Sequence, residues 1–314
     1  VRRILWVAPI LIGVTLILFL LLHVLPGDPA SILAGYRQPS DQAMLNIKEK
    51  LNTEAPLYTQ YKDYLISLGR GDLGTSFRNQ RPVSSIIAES LPNSLALASF
   101  ALFLELLIGI SAGAWAAIRR DSFFDRMSMV SAAVLIAMPV FLLGLLLQLV
   151  FGVRLRWLPV SGLGDGGLNF YILPSLVLAL VAAAYLARVT RSSLIDVLSS
   201  DYVQAARANG LSSNRVLFVH ALKNALPPIV TVAGLHFGFL IGSAVATEVV
   251  FNWPGLGHRL FLAVLERDRP LIIGAALVLS TIFIFVNLLV DILNAWLNPL
   301  ARVDGKQEGS EAKA

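Results

Sequence analysis

Six long apolar runs, separated by polar segments, dominate the chain. They lie at residues 4–22, 94–118, 127–153, 172–187, 229–251 and 271–297. A helix needs about 20 apolar residues to cross a hydrocarbon core of about 30 Å, and most of these runs approach or exceed that length. Because backbone inside lipid must satisfy its own hydrogen bonds, each run predicts a membrane-spanning helix. The pattern therefore predicts an all-α membrane protein with six transmembrane helices.

The first run could instead be the apolar core of a cleaved secretory signal. Its 19 residues exceed the ~7–15 residues typical of such cores, so we favour a span. Pro-Gly-Asp-Pro at 26–29 then predicts the end of the first helix, since proline and glycine break helices. Residues 26–93 follow as an excursion outside the membrane, in which 42–51 and 58–68 predict short helices.

Composition supports a membrane protein and narrows its chemistry. Charged residues make up 14% of the chain and hydrophobic residues 56%, against about 25% charged residues in a typical soluble domain. Cysteine is absent, which excludes disulfides, iron–sulfur clusters and a thiol nucleophile. The net charge of +5 is modest. In a membrane protein it indicates cytoplasmic loops rather than nucleic-acid binding.

The distribution of positive charge predicts the orientation, because six spans place both termini on one side. The segments on that side hold 13 lysines and arginines, whereas the short loops on the other side hold five. The first set comprises 1–6, 119–126, 188–226 and 297–314, and the second comprises 154–171 and 252–270. Positive residues favour the cytoplasmic side, and long excursions count little. We therefore predict cytoplasmic termini and an extracytoplasmic lobe after the first helix.

One polar stretch, 191–228, carries helix signals between the fourth and fifth spans. Asp201, followed three residues later by Gln204, is a capping-box pattern that predicts a helix starting near Tyr202. Gly210 is placed to end that helix about two turns later. A helix this short is marginal on its own because nucleation is costly. We therefore expect it to dock against another surface.

Polar side chains also lie in or near the predicted spans. They are Glu105, Gln148, Glu248, Asn287 and Asp291. Such groups are costly in lipid, so we expect them to line a solute path or to form interhelical hydrogen bonds. Both interpretations stay open for Glu105 and Gln148. Interhelical bonds are favoured for Asn287 and Asp291, and Glu248 lies close enough to the outer surface to be solvated.

Small residues predict close helix packing at two places. Gly234, Gly238 and Gly242 are spaced by four and share one face of the fifth span. Gly109 and Gly113 repeat that spacing in the second span. Both patterns are typical of helices whose backbones approach a neighbour closely.

Recognisable catalytic and metal-binding patterns are absent from the sequence. The four histidines, at 23, 220, 236 and 258, are scattered, and neither H-E-x-x-H nor G-x-x-x-x-G-K-[ST] occurs. His236 points away from the glycine face of the fifth span, since two residues turn a helix by about 200°. We interpret it as a packed, hydrogen-bonded residue rather than a metal ligand.

The missing nucleotide site leaves two main hypotheses for the function. Energy for transport would come from a partner chain, as in an ATP-driven importer, or from an ion gradient, as in a secondary carrier. Glu105 and Asp291 motivate the ion-driven carrier. A membrane-embedded hydrolase is disfavoured because the sequence offers no nucleophile–base pair.

Ala205 and Ala206, whose small side chains let another surface approach, lie at the centre of a family resemblance. With Gly210 and Pro227 they match the "EAA" loop of permease subunits in binding-protein-dependent ABC importers. In that family the loop forms a coupling helix that sits in a cleft of the ATP-hydrolysing subunit. Gln204 stands where the family has glutamate. The residues implied for ATPase coupling are Tyr202, Gln204, Ala205, Ala206 and Gly210.

The resemblance covers nearly the whole chain. Further matching segments are 26–29, 71–76, 188–193, 220–225, 253–257 and 287–291. Together they resemble the B-type permease of dipeptide, oligopeptide, nickel and glutathione importers. The implied fold is that of a type I ABC importer permease with four regions. These are the first helix plus extracytoplasmic lobe (1–93), the transmembrane domain (94–303), the coupling loop within it (191–228) and a flexible cytoplasmic tail (304–314).

The resemblance also implies an assembly. A homologous C-type permease would form the other half of the path, two ATPase subunits would hold ATP and magnesium, and an extracytoplasmic binding protein would deliver solute. This chain would carry no cofactor or metal, contact lipid but no nucleic acid, and reside in the inner membrane. Dipeptides or oligopeptides are the implied substrates, with nickel chelates or glutathione as alternatives.

Overall fold

The computed structural model describes residues 2–24, 55–164 and 166–297. Within these ranges the regular elements are helices, apart from one isolated bridge between Thr75 and Pro82, so the all-α class is confirmed. The predicted helix stop at 26–29, the predicted helix at 42–51 and the predicted tail at 304–314 lie outside the described residues.

Eleven α-helices form the described part of the chain. They are α1 (Arg2–Val24), α2 (Leu57–Gly69), α3 (Val83–Ile118), α4 (Phe123–Ala137), α5 (Val140–Leu147), α6 (Leu168–Leu198), α7 (Asp201–Ala208), α8 (Ser213–Arg215), α9 (Leu222–Val250), α10 (Leu256–Glu266) and α11 (Arg269–Leu297). Two π-helical segments, Gln148–Arg154 and Val216–Ala221, extend α5 and join α8 to α9.

The apolar runs of the sequence are largely helical, and all but the third lie in one continuous helix each. Four continuous helices are long and apolar enough to cross a membrane: α3, α6, Ser213–Val250 and Arg269–Val290. The pair formed by Phe123–Ala137 and Val140–Arg154 counts as a fifth span if taken together. The described apolar part of α1, Pro9–Leu20, is shorter than a full span.

The third apolar run is not one continuous helix. Its two halves, α4 and α5, meet at a bend of 109°. Met138 is extended, with φ −83° and ψ 128°, because a residue before proline is disfavoured in the helical region. Pro139 also has no N–H to donate, so α4 ends before it.

The polar stretch 191–228 is more helical than a connecting loop. The α6 helix continues past the predicted end of its span at Ala187 to Leu198, and α9 begins at Leu222 rather than at Ile229. The short α7 helix therefore lies between two long helices that extend beyond their apolar runs.

One compact unit comprises residues 1–95 and 252–282. Its core joins Val83, Ile86 and Ile87 at the start of α3 with Leu256 of α10 and Leu271 of α11. Gly74, at φ +81°, makes the turn that lets its carbonyl accept a hydrogen bond from the Val83 N–H at 2.9 Å.

The second unit comprises residues 96–251 and 283–314 and centres on α6, which packs against α4, α5 and α9. Its close packing against α3 rests on the predicted small residues. A Cβ added at Gly109 would lie 2.9 Å from Leu186 Cβ, and one at Gly113 would lie 2.5 Å from the Ala187 carbonyl oxygen. The expected close approach of helices at these glycines is confirmed.

Candidate functional site

The α7 helix begins one residue before the predicted start. Its N-cap is Ser200, in extended backbone, and no side chain in the described part of the chain caps the helix. The capping box expected from Asp201 and Gln204 is therefore wrong. The Gln204 side chain instead donates from Nε2 to the carbonyl of Ser199, the C-cap of α6, at 3.1 Å. The carbonyls at the end of a helix have no partner within it, so they are open to side-chain donors.

The predicted end of α7 is confirmed. Gly210 has φ +80°, a conformation that favours glycine, and its N–H donates to the Arg207 carbonyl at 3.0 Å. Helical hydrogen bonding stops there, and the chain turns toward α8.

The two faces of α7 differ in burial. Val203 is fully buried, and the helix packs on α6 and on the π-helical segment before α9. Tyr202, Gln204 and Ala205 are exposed, and Ala206 is half-buried. This leaves a surface in which small side chains are bordered by longer polar ones.

Hydrogen bonds tie α7 to both long helices beside it. Gln204 bonds to the end of α6, as described above. On the other side, Asn224 of α9 donates from Nδ2 to the Tyr202 hydroxyl at 3.1 Å and to the His220 carbonyl at 2.7 Å. Of the predicted coupling residues, Gln204 is thus held at the end of α6 and Tyr202 by α9.

A second candidate site is a buried polar pair inside the second unit. Glu105 of α3 is fully buried, and its Oε1 lies 2.6 Å from Nδ1 of His236 in α9. The ring of Tyr185 in α6 stands edge-on to the imidazole, with centroids 5.3 Å apart. The interpretation of His236 as a packed, hydrogen-bonded residue is confirmed.

The Glu105 carboxylate is only half satisfied. Its Oε2 is buried and has no hydrogen-bond partner within the described residues. A buried acceptor without a partner is costly, so it marks either strain or a place that another group fills.

The other polar residues of the spans form separate contacts along α9. Gln148 donates from Nε2 to the carbonyls of Val160 and Val250, at 2.7 and 3.1 Å. Along α9, Val250 is about 21 Å from His236, at 1.5 Å per residue. The contacts of Gln148 and Glu105 therefore do not belong to one site. Through its bond to Val250, Gln148 connects its own segment to α9.

Asn287 packs beside a glycine of α9. Its Oδ1 would lie 3.6 Å from a Cβ added at Gly238. Gly238 is two residues from His236 and so about 200° around the helix. Asp291 lies within α11, but its side chain is outside the described residues.

The expectation that Glu248 is solvated is wrong. Its side chain is fully buried in α9. Glu248 lies in the last turn of α9, so a position near a helix end does not make it solvent-exposed.

The glycine face of α9 packs closely at two of its three positions. A Cβ at Gly234 would meet Val290 Cγ2 at 2.6 Å, and one at Gly238 would meet Phe283 Cδ2 at 3.1 Å. A Cβ at Gly242 would meet no atom of the described residues within 4 Å. The close approach to α11 is therefore confirmed at the first two glycines.

Two buried carboxylates that anchor the structure were not identified from the sequence. Asp125, at the start of α4, binds Arg191 of α6 through a two-bond ion pair with distances of 2.6 and 2.7 Å. Asp268 precedes α11 and accepts bonds from the Ser76 hydroxyl and from backbone N–H groups of Phe77, Arg78 and Leu271. Its place directly before an apolar run was a possible N-cap signal.

Comparison with known protein families gives two matches that together cover nearly all of the chain. Residues 109–303 match the model described as "Binding-protein-dependent transport system inner membrane component". Residues 1–98 match its N-terminal companion, "Binding-prot-dependent transport system membrane comp, N-term".

Individual relatives agree with these matches. The dipeptide transport system permease protein DppB of Alkalihalophilus pseudofirmus is 38% identical, over 95% of this chain and 97% of the relative. The glutathione transport system permease protein GsiC of Escherichia coli O6:H1 is 43% identical, over 96% and 98%.

The fold also matches a solved transporter. A structure of the MetNI methionine ABC transporter in an inward facing conformation aligns with a TM-score of 0.57 and 18% identity. The alignment covers 68% of this chain and 96% of the other. The family models and the relatives that match over nearly their whole length agree. The chain belongs to the family of inner-membrane components of binding-protein-dependent transport systems.

Proposed function

We propose that this chain is the permease subunit of an ATP-driven importer for dipeptides or oligopeptides and forms half of its translocation path. The family match supports the importer, and the relatives named for dipeptide and glutathione transport support a short-peptide substrate. The same match favours ATP-driven transport over the ion-driven carrier. The observation that carries the coupling part of the proposal is the geometry of α7.

The proposed topology has six membrane-spanning segments. They comprise α1, α3, the bent pair of α4 and α5, α6, the helix from α8 through α9, and α11. The excess of lysine and arginine at one set of helix ends supports cytoplasmic termini and a cytoplasmic α7. Residues 26–93 then contribute an extracytoplasmic lobe.

In this proposal α7 is the contact with an ATPase subunit. Its exposed face offers Ala205 and the partly exposed Ala206, so a partner surface can approach the helix backbone. Its buried Val203 and its bonds to α6 and α9 transmit displacement of α7 to two long helices. Gln204 is engaged with Ser199 and so serves the local structure of α7.

The remaining partners follow from the same family. A second permease completes the path, two ATPase subunits hold ATP and magnesium, and an extracytoplasmic binding protein delivers the substrate. ATP hydrolysis then takes place on the partner chains rather than on this one.

The proposed path includes the pair of Glu105 and His236. A short peptide carries an ammonium and a carboxylate, and both need partners in a low-dielectric environment. The unsatisfied Oε2 of Glu105 offers an acceptor to the ammonium. Asn287 and Asp291 remain proposed members of the path on α11, whereas the bonds of Gln148 support a packing role.

The coupling proposal is tested by substituting Ala206→Trp in the assembled transporter with its ATPase and binding protein. The bulky ring would block close approach, so we expect ATPase stimulation by loaded binding protein and uptake to fall together. Ala133→Trp, at an exposed alanine of α4, is the matched control. Normal stimulation and uptake in an assembled Ala206→Trp transporter would overturn the docking role of α7.

The substrate is tested by uptake into proteoliposomes that contain ATP and the cognate binding protein. We expect saturable uptake of a labelled dipeptide, with reduced glutathione and a nickel chelate as separate arms. Uptake of glutathione alone would assign the chain to the group of GsiC, and uptake of the nickel chelate alone would contradict a peptide substrate.

A further inference from the structure

A cavity of about 530 Å³ lies in the second unit, where the ends of α3 and α6 meet α7 and α8. This volume is in the range of about 300–1,000 Å³ found for small-molecule clefts. Its walls combine guanidinium groups and neutral donors with apolar side chains. The lining residues that matter here are Arg120, Arg207, Ser199, Asn214, Ile118 and Leu198.

The cavity adjoins an aromatic belt. Trp115, Phe123 and Phe124 are 55%, 71% and 57% exposed. The Arg119 guanidinium lies 5.0 Å from the ring centroid of Trp115 and 5.8 Å from that of Phe124. Exposed aromatic rings beside arginine mark the membrane–water interface. Since Arg120 follows Arg119 directly, we infer that the Arg120 end of the cavity lies near the level of lipid headgroups.

The charge of the cavity is positive. Of the described residues that line it, none is acidic and two are arginines. The Arg120 Nε lies 3.5 Å from Asp121 Oδ2, but both side chains are well exposed, so this ion pair is weak. Other guanidinium N–H groups of Arg120 and Arg207 stay available to a phosphate, which they bind well.

We propose that this cavity binds the headgroup of an anionic phospholipid. Basic pockets between membrane helices at the bilayer surface suit such headgroups. Arg120 and Arg207 contact the phosphate, Ser199 and Asn214 contact the neutral headgroup atoms, and the acyl chains leave along Ile118, where the apolar run of α3 ends. A free anion would use the arginines but not the apolar wall. Because Arg207 belongs to α7, the lipid lies against the helix that we assign to ATPase coupling.

The test measures lipid binding and does not depend on transport. The complete transporter is placed in phosphatidylcholine nanodiscs, and association of spin-labelled phosphatidylglycerol is compared with that of spin-labelled phosphatidylcholine. We expect a preference for phosphatidylglycerol that falls about fivefold for each arginine removed, in R120Q and in R207Q. R215Q removes a neighbouring exposed arginine of α8 outside the cavity and should keep the preference.

Several outcomes would overturn the proposal. If the wild-type transporter shows no preference for phosphatidylglycerol over phosphatidylcholine, the proposal is wrong, whether or not the variants fold. Equal preference in wild type, R120Q and R207Q would place the lipid elsewhere. Displacement by millimolar inorganic phosphate would identify a free anion as the ligand. Preference that emerges only after the ATPase subunits are removed would show that a protein partner fills the cavity.

Discussion

Asp268 and Glu105 are both fully buried carboxylates, yet their surroundings differ. Asp268, in the first unit, accepts hydrogen bonds from one hydroxyl and three backbone N–H groups. Glu105, in the second unit, contacts one imidazole, and its other oxygen lacks a partner in the described structure. A buried charge is tolerated when its acceptors are filled, so Asp268 is a structural anchor. Glu105 retains capacity for a further partner.

The difference follows from where each residue lies along the chain. Asp268 precedes α11, where the first N–H groups of a helix and of a nearby loop are available to side chains. Glu105 lies inside α3, where backbone N–H groups are consumed by the helix itself. Only side chains from other helices can therefore satisfy Glu105. Buried acids inside spanning helices are for that reason candidates for function.

The largest expected effect is on folding, from Asp268→Ala. Loss of the carboxylate leaves buried donors without an acceptor, which costs at least about 3 kcal/mol of unfolding free energy. Thermal unfolding of the purified protein measures it. Asp63→Ala, at an exposed aspartate of α2, is the matched control and should change stability by less than about 0.5 kcal/mol. Equal melting temperatures of the two variants would contradict the anchoring role.

Asp125→Ala tests why Asp268 and Glu105 differ: because the acceptors of Asp268 are filled, or because the two residues lie in different units. Asp125 lies in the second unit, like Glu105, but it is held by Arg191 and by the Asp121 N–H at 2.9 Å. We expect a loss of about 2 kcal/mol, less than at Asp268 because the Arg191 side chain is partly exposed. Unfolding in denaturant measures it. If the denaturant midpoint of Asp125→Ala equals that of wild type, the hydrogen bonds accepted by the Asp125 carboxylate do not stabilise the fold.

Glu105→Gln should affect transport more than folding. Glutamine keeps the volume and one bond to His236, so we expect a stability change below about 1 kcal/mol. Uptake should fall at least about tenfold, which corresponds to about 1.4 kcal/mol. Glu89→Gln, at an exposed glutamate of the same helix, should retain uptake. If Glu105→Gln strongly destabilises the protein but leaves uptake per folded transporter normal, Glu105 is a structural anchor like Asp268 and does not act in transport.

The smallest expected effect concerns a titrating group of the first unit. Burial lowers the pKa of His258, although its Nδ1 donates to the Trp253 carbonyl at 3.1 Å. The unfolded chain then takes up this proton at higher pH than the folded chain. Stability from His258 is present above the unfolded pKa near ~6.5 and is lost as pH falls from there through the lower folded pKa. The melting temperature of His258→Gln should therefore fall less than that of wild type between about pH 7.5 and about pH 5.5. An identical decrease in both proteins would exclude this contribution.

Local patterns in the sequence were sufficient to place helices over the described apolar runs, for the end of α7 at Gly210 and for close packing at Gly234. These depend on residues within a few turns of one another. The contacts of Glu105 and Asp268 join residues 131 and 192 positions apart, so no local pattern contains them. The bend after α4 was missed because apolarity continues through Pro139 although helical hydrogen bonding does not.

The π-helical segment Val216–Ala221 has a mechanical consequence. A π turn holds an extra residue, and each residue gained or lost by a helix rotates everything beyond it by about 100°. If this segment tightened into an ordinary α-turn, α9 would rotate about its own axis relative to α7. His236 and Gly238 would then each face a direction about 100° around the helix axis from the present one. Tightening of one π turn at this segment would therefore turn the long α9 helix relative to the short α7 helix.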